Sequence, residues 1–199
     1  MQELKIIHKS AYPRSKDSIE RKTIRCYGIM QSFQLMKLFE NKLKELYWSE
    51  KTLIKVIKKM IGSVRSEKLN DVLSDHLTET EKQVLRIEYI FKIIEKKAVP
   101  KKYEVMCSVI KEAVLTIDKR EPGNRYDAAI NSAIKIIELH EISSYREICE
   151  IAKNLRLIIA VEFLEVTLKM EEAVYEKLSV MTFNEVNIET ECGIETGAY

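Results

Sequence analysis

Several charged side chains stand where a buried helical seam calls for apolar ones. One seam, spaced by fours and threes, runs Met36, Phe39, Leu43, Leu46, Glu50, Leu53, Ile57, Met60. A second runs Ile130, Ile134, Ile137, Glu141, Tyr145, Ile148, Ala152, and a third runs Leu157, Val161, Leu164, Leu168, Glu171, Tyr175, Leu178. A fourth stripe carries His76 and Glu79, and Glu138 lies one turn before Glu141. A lone carboxylate in a helical core is costly unless a cation or hydrogen bonds meet it. Carboxylates contributed by four separate helices point to one shared cause, a metal centre. Paired ions need carboxylates that chelate or bridge, plus a few further donors, and facing helices supply these at i, i+3 spacing. Oxygen-rich ligation with a minority of imidazole suits iron or manganese, whereas zinc more often recruits thiolates or additional histidines. The expected ligands are Glu50, His76, Glu79, Glu138, Glu141 and Glu171, holding two iron or manganese ions. Gln83, Tyr47, Tyr145 and Tyr175 are expected around them as supporting groups.

The elements that position these residues follow from period and punctuation. Apolar residues recur at helical spacing over about 32–61, 66–96, 103–118, 125–153 and 156–182. Gly62-Ser63 makes the first turn, Ser66 with Glu67 starts the next helix, Pro100 stops it, and Pro122-Gly123-Asn124 separates the short helix from the third long one. Two helical hairpins joined by about thirty residues give the one-crossover topology of a ferritin-like antiparallel four-helix bundle, with a short extra helix in the crossover. Heights agree with a common layer. Glu50 lies about fourteen residues before the first turn and Glu79 about fifteen after it; Glu141 lies about thirteen before the second turn and Glu171 about seventeen after it. The last mismatch is about one helical turn, a gap that Glu138 covers.

Composition excludes several classes. The chain has 199 residues, 46% of them hydrophobic, which suits one domain with a full core. Only 5 glycines and 3 prolines interrupt it, which favours long helices. Four scattered cysteines have no zinc or redox spacing, and no apolar run has the length of a membrane span, so a reduced cytoplasmic protein with no membrane partner is expected. Residues 1–31 are basic and 183–199 acidic; both are expected to be solvated extensions, the second disordered, around a bundle at 32–182. The basic arm lacks interleaved aromatics, and a net charge of +2 gives no reason to expect a nucleic-acid partner.

The residues also carry a resemblance. Leu46-Tyr47-Trp48-Ser49-Glu50-Lys51, His76-Leu77-Thr78-Glu79-Thr80 with Gln83 and Arg86, Asp127-Ala128-Ala129, Glu138 with Glu141-Ile142-Ser143-Ser144-Tyr145, and Thr167-Leu168 with Glu171 resemble the YciE/YciF family of bacterial ferritin-like stress proteins over about residues 33–180. The resemblance implies a rubrerythrin-like bundle, a homodimer and a di-metal site. The chain departs from that pattern at Leu139-His140, where the histidine stands one residue later, at Met170 and Lys42, which replace glutamates, and at Asn154-Leu155-Arg156, which lacks a turn glycine.

The reading that follows is an all-α, stress-related di-metal carboxylate protein handling iron or reducing oxygen or peroxide, possible oxidoreductase chemistry included. The competing reading is a non-enzymatic structural or partner-binding bundle whose acidic centre is vestigial. A storage cage is disfavoured because the polar C-terminal tail offers no apolar fifth helix.

Overall fold

Between Pro13 and Gly62 only Gly28 interrupts helical propensity, and from Arg156 to Cys192 there is neither glycine nor proline. In the computed structural model, which describes residues 15–118 and 124–192, these stretches form the two longest of five helices: α1 (Ser15–Ile61), α2 (Glu67–Ile93), α3 (Glu104–Asp118), α4 (Asn124–Asn154) and α5 (Ile158–Cys192). No strand occurs among the described residues. Helix α1 starts at Ser15 and not near residue 32, and α5 runs past residue 182, because nothing in either sequence stops them. The expectations for residues 1–14, for the Pro122-Gly123 break and for residues 193–199 lie outside the described residues.

Local chemistry sets the other helix ends. Ser66 caps α2 by accepting from the Leu69 backbone N–H at 3.3 Å. Both α2 and α4 end on a non-glycine residue in the left-handed region, Glu95 (φ 54) and Arg156 (φ 57). Each closes its helix with a return hydrogen bond one residue later, Lys96 N–H to Phe91 C=O at 2.9 Å and Leu157 N–H to Ala152 C=O at 3.0 Å. Arg156 thus occupies the position for which the sequence supplies no glycine.

Helix α1 packs on α2 and α4, and α5 packs on the same two from the opposite corner. The arrangement is an all-α four-helix bundle with one long crossover. That crossover climbs along α1: the Lys101 N–H donates to the Lys44 carbonyl at 3.0 Å, and the Lys59 ammonium meets Asp118 at 2.7 Å. It delivers α4 to the α1–α2 turn, where the buried Asp127 carboxylate accepts from the backbone N–H groups of Arg65 and Ser66, the latter at 2.7 Å.

The core divides into two apolar clusters. One gathers Leu53, Ile57, Leu73, Ile134 and Leu178 toward the α1–α2 turn; the other gathers Phe39, Leu43, Ile90, Ile148 and Leu164 toward the α4–α5 turn. Between them lies a buried polar layer containing Glu50, His76, Thr80, Gln83, Glu138, Glu141, Thr167 and Glu171.

Candidate metal centre

Two side-chain bonds fix the heights at which this layer assembles. Asn131 on α4 donates its amide to the Leu178 carbonyl on α5 at 3.1 Å. Counting two helical turns from each in opposite chain directions brings Glu138 level with Glu171, the pairing expected from the turn-to-turn mismatch. Between α1 and α4, Asp127 grips the turn at one end and Lys42 pairs with Glu147 at 2.8 Å near the other, which sets Glu50 opposite Glu141.

His76, Glu138, Glu141 and Glu171 each offer a ligand atom, and these four atoms lie within 4.8 Å of one another. All four residues are at most 1% exposed, and Glu50 is 0% exposed. His76 Nε2 approaches Glu138 Oε1 to 3.0 Å, yet neither atom makes a directed hydrogen bond. Both nitrogens of His76, both oxygens of Glu138 and of Glu141, and Oε2 of Glu50 and of Glu171 are buried without a hydrogen-bond partner. Unpartnered polar atoms at this density are rare in protein cores, where most buried groups are satisfied. The donor set of carboxylates and one imidazole fits a divalent iron or manganese ion.

Burial also perturbs the acids of this layer. Burial, with the nearby Glu171 charge, pushes the Glu50 carboxyl up to about 8, against the lowering influence of Tyr145 and His76. Burial likewise raises Glu138 to about 8. Glu141 and Glu171 are held well above the usual carboxylate range, first by burial and then by the neighbouring carboxylates. Carboxylates this close cannot all be charged without a cation.

Two supporting groups stand where the sequence suggested. Tyr145 donates its hydroxyl to Glu50 Oε1, and Gln83 donates its amide to Glu171 Oε1. Two others do not: Tyr47 donates to Glu88 at 2.7 Å, and the Tyr175 ring faces the Lys135 ammonium.

Glu79 is set apart from the expected ligands. Its side chain is 26% exposed and pairs with Lys82 and with Arg86 at 3.5 Å. The buried stripe of α2 runs His76, Thr80, Gln83, Ile87. Glu79 falls about 60° to one side of His76, on the flank where those two cations compete for it. Arg86, only 16% exposed, acts electrostatically on Glu50 as well and was not singled out as a site residue from sequence. Its signal was its spacing, three residues beyond Gln83 on the flank it shares with Glu79.

A family model described as a domain of unknown function, DUF892, matches residues 34–191. The chain belongs to the DUF892 family. Every residue of the polar layer falls inside that DUF892 match. Protein YciF of Escherichia coli strain K12 is 30% identical over 158 residues, covering 77% of this chain and 93% of YciF. The crystal structure of that E. coli stress protein superposes with a TM-score of 0.72 at 29% identity, covering 77% of this chain and 97% of the other. YcfI of Rhodopseudomonas palustris, described as a candidate structural protein, gives 0.71 at 30% identity, covering 73% and 92%. A protein from Xanthomonas campestris pv. campestris shares the fold, with a TM-score of 0.58 at 16% identity over 79% and 99%.

Proposed function

We propose that this DUF892 protein is a ferritin-like di-metal carboxylate protein that handles iron or reduces oxygen or peroxide as part of a stress response. The observation that carries the reading is the set of unpartnered donor atoms in the polar layer: His76, Glu138, Glu141 and Glu171 converge, and Glu50 stands beside them with one oxygen free. His76, Glu138, Glu141 and Glu171, with Glu50 beside them, would hold two iron or manganese ions there, and such ions would supply one-electron redox chemistry between divalent and trivalent states. The protein's own residues do the rest. Deprotonated carboxylates balance the charge, and Tyr145 and Gln83 fix the orientation of Glu50 and Glu171. The two apolar clusters exclude bulk water from above and below.

The test is elemental analysis and isothermal titration on protein purified under reducing, oxygen-free conditions with ferrous iron or Mn(II). Retention of metal by the native chain and its loss in Glu141→Ala support the reading; absence of iron and manganese binding sinks it.

The second reading, a structural or partner-binding bundle with a relic centre, is favoured by one observation: burial raises the carboxyls enough for several to be neutral acids near neutral pH. The description of YcfI leans the same way. Under that reading Glu50→Ala and Glu141→Ala leave function unchanged. A cytoplasmic location belongs with the first reading; no helix among the described residues is long and apolar enough to cross a membrane. Homodimerisation is supported by exposed Leu85 and Tyr89 on α2 and Ile159 and Val166 on α5, and light scattering reads it directly.

A further inference from the structure

Two helices outrun the bundle, and they do so at opposite ends. Helix α1 has 47 residues against the 27 of α2, its hairpin partner. Its packing begins at Leu35, Met36 and Phe39, in the cluster beside the α4–α5 turn. Before that point every residue from Met30 to Gln34 is exposed, more than a full turn, with Met30 at 51% and Phe33 at 59%. A helix exposed all round is held by nothing in its own chain. Helix α5 leaves the other end of the bundle: Met181 is buried in the cluster toward the α1–α2 turn, and the helix continues to Cys192.

The two projecting stretches carry opposite charge. Residues 15–33 hold Lys16, Arg21, Lys22 and Arg25 against Asp17 and Glu20, whereas residues 182–192 hold Glu185, Glu189 and Glu191 with no lysine or arginine. Each sequence also keeps apolar residues at helical spacing. Ile19, Cys26, Ile29 and Phe33 lead into the Met36 seam, and Ile188 and Cys192 continue the spacing of Leu178 and Met181. A lone helix of such length is marginal in water, and Glu189 and Glu191 stand at the end of α5 where the helix dipole is already negative. A helix of opposite charge answers both deficits. The two stretches cannot meet within one chain, because a bundle about 40 Å long, the span of α2, lies between them. Pairing either stretch with its own kind sets like charges side by side.

We infer that copies of this chain join head to tail, the basic stretch of α1 from one copy lying along the acidic end of α5 from the next. Both helices run from the α4–α5 turn toward the α1–α2 turn, so stacking copies along the bundle axis brings the two stretches together as a parallel pair. The contact is heterologous. Each copy presents one basic end and one acidic end, and repetition builds a ring or an open filament in place of a closed pair. The basic stretch precedes residue 34, where the DUF892 match begins, so this assembly is an addition to the shared bundle. It stands apart from the metal-binding reading and from any lateral contact through Leu85 and Val166.

Cys26 and Cys192 lie one on each stretch and make the contact readable. In the full chain carrying Cys107→Ser, with Cys149 buried, a thiol-specific bismaleimide should give a ladder of dimer, trimer and larger products on a denaturing gel. Cys26→Ser and Cys192→Ser should each abolish the ladder, and the two proteins mixed should give a dimer and nothing larger. Sedimentation should show mass rising with protein concentration, an association lost at about 1 M salt, where the screening length falls to about 3 Å. Charge reversal supplies the second arm. Glu185→Lys with Glu189→Lys should lose the ladder, as should Arg21→Glu with Lys22→Glu, and mixing these two proteins should recover it. All four positions lie beyond the bundle, and circular dichroism reads its folding separately. A dimer that persists in Cys192→Ser overturns the inference, because like ends then pair. So does a product of the Cys107→Ser protein that stops at the dimer, or a basic stretch that takes up nucleic acid or anionic vesicles while the copies stay apart.

Discussion

Gln83 on α2 donates its amide to one oxygen of Glu171 on α5 and leaves the other oxygen of that carboxylate buried and free. The bond crosses between helices that meet only in the folded bundle, so it fixes both a side-chain rotamer and the height of α5 against α2. Glu171 thereby presents one committed and one available oxygen, the arrangement that a ligand supported by an outer partner requires. Gln83→Leu keeps the volume near that of glutamine and removes the donor. Metal affinity should fall by about tenfold with helicity unchanged, measured by manganese titration and circular dichroism.

Stability of the metal-stripped protein should fall as pH rises. The carboxyls of Glu50 and Glu138 are raised from the ordinary value of 4.5 to about 8 in the fold, and burial holds Glu141 and Glu171 well above the ordinary value too. Between about pH 4.5 and 8 the folded chain therefore binds protons that the unfolded chain has lost. The stabilisation from the neutral acids is complete below the lower value and disappears as pH passes the upper one. Urea unfolding at pH 5 and pH 8.5 should differ by several kcal/mol, and saturating Mn(II) should reduce the difference because cations replace the protons.

Removing a carboxylate from the centre should separate stability from binding. Glu141 is fully buried with neither oxygen hydrogen-bonded. Glu141→Leu exchanges an uncompensated carboxyl for an apolar group, which should raise the stability of metal-stripped protein by about 1–3 kcal/mol. The same variant should lose the upward shift in melting temperature that Mn(II) gives the native chain. Differential scanning calorimetry with and without metal reads both effects.

Glu79 provides the control. Its carboxylate is engaged by Lys82 and Arg86 at the edge of the bundle. Glu79→Gln should leave manganese affinity within about twofold of the native value and change stability by less than about 1 kcal/mol. A loss of about tenfold or more would return Glu79 to the ligand set expected from sequence.

The α4–α5 turn contains a residue in the wrong conformation for its type. Arg156 has φ 57 and is exposed at the end of α4. A side chain there costs about 1–2 kcal/mol, while glycine loses about 0.5–1 kcal/mol of extra chain entropy on folding. Arg156→Gly should therefore stabilise the protein by about 0.5–1 kcal/mol, read as a shift in the denaturant midpoint at constant slope.

Much of this was legible in the linear chain because helical period is a local property. Seams repeating at fours and threes identified the faces of α1 and α4 with Glu50 and Glu141. On α5 the buried stripe is Ala160, Leu164, Thr167, Glu171, Val174 and Leu178, so the expected seam met it at Leu164, Glu171 and Leu178, while Leu157, Val161, Leu168 and Tyr175 are only half-buried on its flank. The Ser66 cap and the crossover were readable for the same reason, since capping and chain-breaking depend on near neighbours. The N-terminal limit of α1 was less clear: a basic composition marks solvation and does not forbid a helix, so the expected start near residue 32 gave way to Ser15.

Other features depend on distances that no local pattern encodes. The chain alone placed His76 and Glu79 together; packing separated them, because a difference of about 60° around one helix decides whether a carboxyl meets the core or the lysine and arginine on its flank. Tyr47, Tyr145 and Tyr175 looked alike in sequence, and only tertiary contact assigned them to Glu88, Glu50 and Lys135. Spacing along the chain thus determined which side chains face inward. Which of them share a point in space, and which are already claimed by a neighbouring charge, was decided when four helices were set at fixed heights by Asp127 at the turn and Asn131 in the bundle.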